Sequence, residues 1–280
     1  MSENHGCRLV GISRSVVRYV PRVASGEAEL REHIRRLARQ NKRYGCMRIT
    51  ALLQREGIKV NHKRVHRIWK DEGLSLPRKR PARRRAGPVG EIFMKAEHKN
   101  HVWCYDFVED RTEHGDALRM LCVVDEYTRM CHEIRVERSI GSDRVIDTLN
   151  WLFLTRGVPG HIRSDNGPEF AANAVRKWLQ NTDCSAIFIE PGSPWENSYI
   201  ESFNGKFRDE CLNREVFRNI AEARLVIENW RRHYNEQRPH SSLGYLTPAE
   251  FAAQKGSSTP FRFPLINNAK TKDNTKTLIF

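Results

Sequence analysis

The sequence predicts a mixed α/β fold, a sheet flanked by helices, preceded by a small all-α unit. Three observations predict it. Strand-like runs at residues 102–108, 118–124 and 131–136 are followed by alternating helical and strand-like segments, the order of a mixed sheet. Between residues 27 and 70 the apolar positions recur instead at three- and four-residue steps. Charge divides the chain at the same boundary: residues 1–92 carry 23 Lys and Arg against 8 Asp and Glu, and residues 93–280 carry 25 against 26. A chain of 280 residues accommodates two ordinary domains.

Residues 1–26 form a basic N-terminal segment in which Ser13 caps a short helix. Leu30, Ile34, Leu37 and Ala38 share one face of a helix over 27–43, ended by Tyr44-Gly45. A second helix over 47–56 turns Ile49, Leu52 and Leu53 inward and stops at Gly57. Asn61 caps a third, with Val65, Ile68 and Trp69 on one face and His62, Lys63, Arg64, His66 and Arg67 elsewhere. Three short helices with a glycine turn before a basic third one fit a helix-turn-helix-like DNA-binding domain over 27–76. A plain helical bundle with a solvated basic face shares the same pattern. His62 and His66 stand four apart, but no nearby Cys or acid pair completes a zinc site.

Residues 77–92 read as a basic linker. Pro77, Pro81, Gly87 and Pro88 oppose regular structure, and six of the eight residues 78–85 are basic: Arg78, Lys79, Arg80, Arg83, Arg84 and Arg85. Beside DNA such a run neutralises phosphates and makes binding salt-dependent. A second domain spans 93–255. Gly115-Asp116 joins its first two strands in a hairpin. Ser142 caps a helix to 156 whose apolar face is Val145, Ile146, Leu149, Leu152 and Phe153, and Gly157 ends it. A strand at 161–164, a helix at 169–181, a strand at 186–189 and helices at 197–211 and 220–236 follow. Residues 256–280 are polar and aperiodic and read as a disordered tail.

The formal charge of +14, concentrated in the first third, points to a polyanionic partner, and to nucleic acid before a membrane. No run of eighteen apolar residues suggests a membrane span, and the first residues lack the apolar core of a signal peptide. Seven scattered cysteines with no C-x-x-C pair fit reduced thiols in the cytosol.

Three acids stand out on this scaffold. Asp106 lies within the first strand, Asp165 follows the strand at 161–164 on an Asn166-Gly167-Pro168 turn, and Glu201 lies near the start of a helix. Phosphodiester chemistry assisted by two divalent cations needs several carboxylates converging on one point. The three meet if the two strands are neighbours and that helix crosses their ends. Lys206 and Arg208 lie five and seven positions past Glu201, and the seven-step spacing returns Arg208 to nearly the same helix face, so both are candidate phosphate contacts. Asn166 and Asn204 are candidate supporting residues that orient DNA or metal-bound water, with capping as the alternative. Asp125 reads as a turn or a supporting acid, Asp209 and Glu210 as solvated or paired, and His240 as packed or capping before a general acid.

The chain resembles the insertion-sequence-three family of bacterial transposases, and within it the product of the second reading frame. The resemblance rests on Arg43-Tyr44-Gly45, residues 60–65, Asp106-Phe107-Val108, Val123-Val124-Asp125, residues 162–170 around Ser164-Asp165-Asn166-Gly167, residues 199–213 from Tyr199-Ile200-Glu201-Ser202-Phe203-Asn204 onward, and residues 234–244. It covers about residues 7 to 253, and retroviral integrase cores are similar more distantly. The resemblance implies a ribonuclease-H-like fold and a D-D-E triad of Asp106, Asp165 and Glu201 as catalytic and metal-holding residues. It implies two Mg²⁺ ions, replaceable by Mn²⁺, cleavage of DNA at an element end to free a 3′-OH, and transfer of that end to a second phosphodiester. Its partners would be double-stranded DNA, further copies of the chain in a synaptic complex, and a first-reading-frame protein or fusion. Its place would be the bacterial cytoplasm, on the nucleoid. A DNA-binding protein without catalysis and a ribonuclease-H-like nuclease remain as alternative readings; the basic N-terminal third favours duplex DNA over an RNA hybrid.

Overall fold

The computed structural model describes residues 2–18, 26–77, 94–164, 169–182, 184–188 and 197–254. The chain divides into two compact units, residues 1–79 and 80–280.

The first unit is helical: α1 (Glu3–Val10), α2 (Arg14–Val17), α3 (Glu27–Gln40), α4 (Cys46–Arg55) and α5 (His62–Asp71). The single short helix expected near its start is instead two. Only Cys7 of α1 is buried, so that helix carries no apolar stripe to read. Ser13 stands before α2, but its hydroxyl meets that of Ser15 at 2.9 Å and makes no cap bond. The remaining helices form as their apolar spacing demands. Leu30, Ile34 and Leu37 of α3 pack with Ile49 and Leu53 of α4 and with Val65, Ile68 and Trp69 of α5. Asn61 caps α5 by accepting the Lys63 N–H at 2.9 Å.

The second unit is built on a five-stranded mixed sheet in the order β3-β2-β1-β4-β5. Its strands are β1 (Val102–Arg111), β2 (Ala117–Asp125), β3 (Cys131–Glu137), β4 (His161–Ser164) and β5 (Ser185–Phe188). The first three are antiparallel, with Asp106 opposite Cys122, and β4 and β5 run parallel to β1. Gly115, at φ +87°, turns the β1–β2 hairpin in a backbone region where a side chain would be strained. Helix α6 (Ser142–Arg156) starts from Gly141, so Ser142 is its first residue and not its cap. Helices α7 (Glu169–Leu179), α8 (Ser198–Glu210), α9 (Ile220–Glu236) and α10 (Pro248–Gln254) follow, and α10 is a helix the sequence pattern does not announce.

Strand alternation divides the core between the two sheet faces. Cys104, Val108, Met120, Cys122 and Val124 face α8 and α9, where they meet Ile200, Phe203, Phe207, Ile227 and Tyr234. Trp103, Tyr105, Leu121 and Val123 face α6 and α7, where they meet Val145, Leu149, Leu152, Phe153 and Leu179. No helix among the described residues is long and apolar enough to cross a membrane.

Candidate active site

The geometry centres on Asp106. It points to the α8 side of the sheet, half-buried, between Cys104 and Val108. One carboxylate oxygen, Oδ1, accepts the N–H of Phe107 at 2.7 Å. The other accepts the Asn204 side-chain amide at 2.7 Å. Asn204 arrives there because α8 buries Ile200, Phe203, Asn204 and Phe207 along one face. Phe203 and Phe207 hold that face by packing on Trp230 and Tyr234 of α9, with ring centres 4.9 to 5.7 Å apart. Glu201 is exposed at the margin of the same face, three positions before Asn204 and therefore beside it. The Asn204 Oδ1 is buried and has no hydrogen-bond partner.

Asp165 and Asn166 lie outside the described residues, as do Arg78, Lys79, Arg80, Arg83, Arg84, Arg85 and the tail from 255 onward. The strand that leads to Asp165 is described. In the parallel β1–β4 ladder the last pair is Cys104 with Arg163, two residues before Asp106 on one strand and two before Asp165 on the other.

Arg163 is a residue whose role the sequence reading missed. Its side chain is 1% exposed and bonds Glu126, equally buried, at 2.5 Å and the Met94 carbonyl at 2.8 Å. It thereby pins β4 to the turn after β2. The available signal was an arginine inside a short apolar strand, where only a paired charge is tolerated. Asp125, a candidate supporting acid, is fully buried and builds that turn through bonds from the backbone N–H groups of Asn100, Tyr127 and Thr128. Burial raises its pKa, against the pull of those donors. Glu210 pairs with buried Arg238 through two bonds of 2.7 and 2.6 Å, and His240 packs edge-on against Tyr234. Those acids and His240 serve the structure.

The basic candidates separate by what already holds them. Lys206 folds back along α8 onto the Ser202 hydroxyl and carbonyl at 2.6 and 2.9 Å. Arg208 is exposed and reaches the Glu109 carbonyl at 3.3 Å, on the same strand as Asp106. On α5, Lys63 is exposed, whereas Arg67 forks onto Glu27 at 2.7 and 3.3 Å. Arg64 is half-buried, with one guanidinium nitrogen lacking a partner. Arg67 is thus part of a network in which Arg31 and Arg35 also bind Glu27, Asp71 and Glu72.

Models of an integrase core domain match residues 96–194 and 182–248, and a model of an HTH-like domain matches residues 26–82. The chain is 42% identical over 256 residues to the insertion element IS407 uncharacterized 31.7 kDa protein of Burkholderia multivorans, covering 91% of each. It is 41% identical over 268 residues to the insertion element IS476 uncharacterized 39.2 kDa protein of Xanthomonas euvesicatoria, covering 93% of this chain and 77% of that one. It is 28% identical over 231 residues to the transposase for insertion sequence element IS629 of Shigella sonnei, covering 79% and 78%. The chain belongs to the insertion-sequence-three family of transposases. The transposase has the integrase core, ribonuclease-H-like fold that the sheet order carries, preceded by a helical HTH-like domain. Its donor groups around Asp106 suit a hard divalent cation. They are the two carboxylate oxygens of Asp106 itself and the amide oxygen of Asn204, which is buried without a hydrogen-bond partner.

Proposed function

We propose that Asp106, Asp165 and Glu201 are the catalytic and metal-holding residues of this transposase, and that they cut an element end to free a 3′-OH and join it to a second phosphodiester. The observation that carries this reading is the Asn204–Asp106 bond, which draws the Glu201 helix onto the first catalytic strand. The β1–β4 register supports it, since Asp106 and Asp165 stand the same two residues beyond a paired position. Two Mg²⁺ ions held by these carboxylates would supply activation of the attacking oxygen and neutralisation of the leaving one. The chain's own part is to orient the Asp106 carboxylate, with Asn204 donating to it, and to leave Glu201 open to the solvent side where DNA arrives.

Duplex DNA is the substrate of this reading, at element ends and target alike, which places the protein in the bacterial cytoplasm on the nucleoid. The domains 27–76, 77–92 and 93–255 divide as DNA-binding helices, basic linker and catalytic core. Lys63, Arg64 and the linker cations Arg78, Lys79, Arg80, Arg83, Arg84 and Arg85 contact phosphate, with Arg208 beside the active site. Arg67 and Lys206 contribute only if they exchange their present partners. Several copies hold two ends together, and a first-reading-frame protein joins them.

The test is strand transfer on oligonucleotides of the element ends with Mg²⁺ or Mn²⁺, alone and with the first-frame product. Asp106→Asn, Asp165→Asn and Glu201→Gln should each abolish joining while end binding persists. Joining that survives all three would dismiss the assignment.

A further inference from the structure

The loop between β2 and β3 holds an arrangement that the three acids do not account for. Arg129 has φ of +63°, the left-handed region that non-glycine residues rarely occupy. The buried Asp125 carboxylate builds this turn by accepting the N–H groups of Tyr127 and Thr128 at 2.9 and 2.7 Å. The Arg129 N–H returns to the Asp125 carbonyl at 2.9 Å. The outcome is that the Arg129 guanidinium lies 3.9 Å from the centre of the Tyr199 ring. Tyr199 is in the first turn of α8, two residues before Glu201. The Nη1 of Arg129 is meanwhile buried without a hydrogen-bond partner.

A strained backbone and an unsatisfied guanidinium nitrogen work against stability and are offset only in part by attraction to the buried Glu126 carboxylate, so stability alone does not fully explain the residue. The position of its contact does. Ile200 points straight into the core, so Tyr199 and Glu201 flank it on opposite sides of α8. On the Glu201 side, Asn204 ties the helix to Asp106. On the other side, the Arg129 guanidinium stacks on Tyr199. Two contacts on opposite flanks set the rotation of a helix about its axis, which one contact cannot do.

We propose that Arg129 is a positioning residue for strand transfer: its stack on Tyr199 sets the rotation of the first turn of α8 and so aims the Glu201 carboxylate. This rests on the assignment of Glu201 above. A misplacement of about 1 Å at a reacting group costs on the order of a hundredfold in rate, so loss of the stack should be visible in turnover.

The experiment uses the full chain with the first-frame product supplied, and compares Arg129→Gly, Tyr199→Ala, Tyr199→Phe and the Arg129→Gly/Tyr199→Ala pair. Glycine accepts the left-handed backbone, so Arg129→Gly removes the guanidinium without breaking the turn. Single-turnover joining at saturating end DNA should slow about tenfold or more in Arg129→Gly and in Tyr199→Ala, and no further in the pair. Tyr199→Phe, which keeps the ring, should join at close to the wild-type rate. End affinity should stay at the wild-type value in Arg129→Gly, and any fall in melting temperature should be too small to account for the rate loss. Wild-type joining by Arg129→Gly, losses that multiply in the pair, a slow Tyr199→Phe, or a rate loss that tracks a lower melting temperature would each overturn the proposal. Glu201→Gln, run alongside, reports on the acid itself: full activity there removes the Glu201 assignment, whereas a dead Glu201→Gln with normal Arg129→Gly removes only the positioning role.

Discussion

The side-chain amide of Asn204 donates to the Asp106 carboxylate at 2.7 Å across 98 residues of chain. This bond joins a strand acid to the helix that carries Glu201, and it leaves the other amide atom, Oδ1, buried and unsatisfied. An amide oxygen in that state beside the Asp106 carboxylate is one that a cation or its water would complement.

Asn204→Ala removes the bond and should lower stability by about 2 kcal/mol, the usual worth of a hydrogen bond to a charged group. Joining should fall further than that loss explains, because Asp106 loses the bond that ties it to the Glu201 helix. Asn204→Asp keeps the shape but sets a like charge against Asp106, and should be the slower of the two. Denaturant melts and single-turnover joining on the same preparations separate the effects.

Arg238 and Glu210 are both nearly inaccessible and share two short bonds. Arg238→Ala strands the Glu210 carboxylate in the core and should cost about 3–5 kcal/mol. Replacing both by apolar residues of similar volume should cost much less. Urea unfolding of the single and double variants checks this.

His132 is buried against Trp103, and neither ring nitrogen has a partner. Burial first, then Arg156, Lys99 and Arg231, depress its pKa to about 3. A depressed base binds fewer protons when folded than unfolded, so it destabilises the fold as pH falls below the ordinary histidine value near 6.5 and does so increasingly down to about 3. At pH 5 the cost is about 2 kcal/mol. His132→Phe should therefore be more stable than wild type at pH 5 by about that amount, relative to their difference at pH 8, measured by thermal unfolding at both pH values.

Lys63 and Arg67 share α5 but not a fate. Lys63→Ala should weaken DNA binding across sequences and reduce the salt slope by about one. Arg67→Ala should instead lower the melting temperature, because Arg67, then Arg31, hold Glu27 below the usual carboxylate range. That stabilisation is present above the unfolded carboxylate pKa and is lost as pH falls through the folded one. The Arg67→Ala penalty should accordingly shrink in acid. Fluorescence anisotropy across a salt series and pH-dependent melts distinguish the two residues.

The sequence by itself determined the order of strands and helices and the helical first unit, and it singled out the three acids that the proposed function assigns. Those features live in local periodicity, capping and short motifs: Asn61 caps α5 where the pattern places a cap, and β1 to β3 lie where alternation predicts them. Two short pieces escaped, α1 and α10, because each buries a single residue and shows no stripe. Only the tertiary structure decided which polar groups are already spoken for. Arg67 meets Glu27 forty residues away, Arg163 meets Glu126 and Glu210 meets Arg238, and none of these pairs can be read from spacing. The physical reason is that a charge's partner depends on strand register and helix rotation, which arise when separate segments bury their apolar faces together. Asn204 reaches Asp106 because Ile200, Phe203 and Phe207 are driven into the same core as Cys104 and Val108.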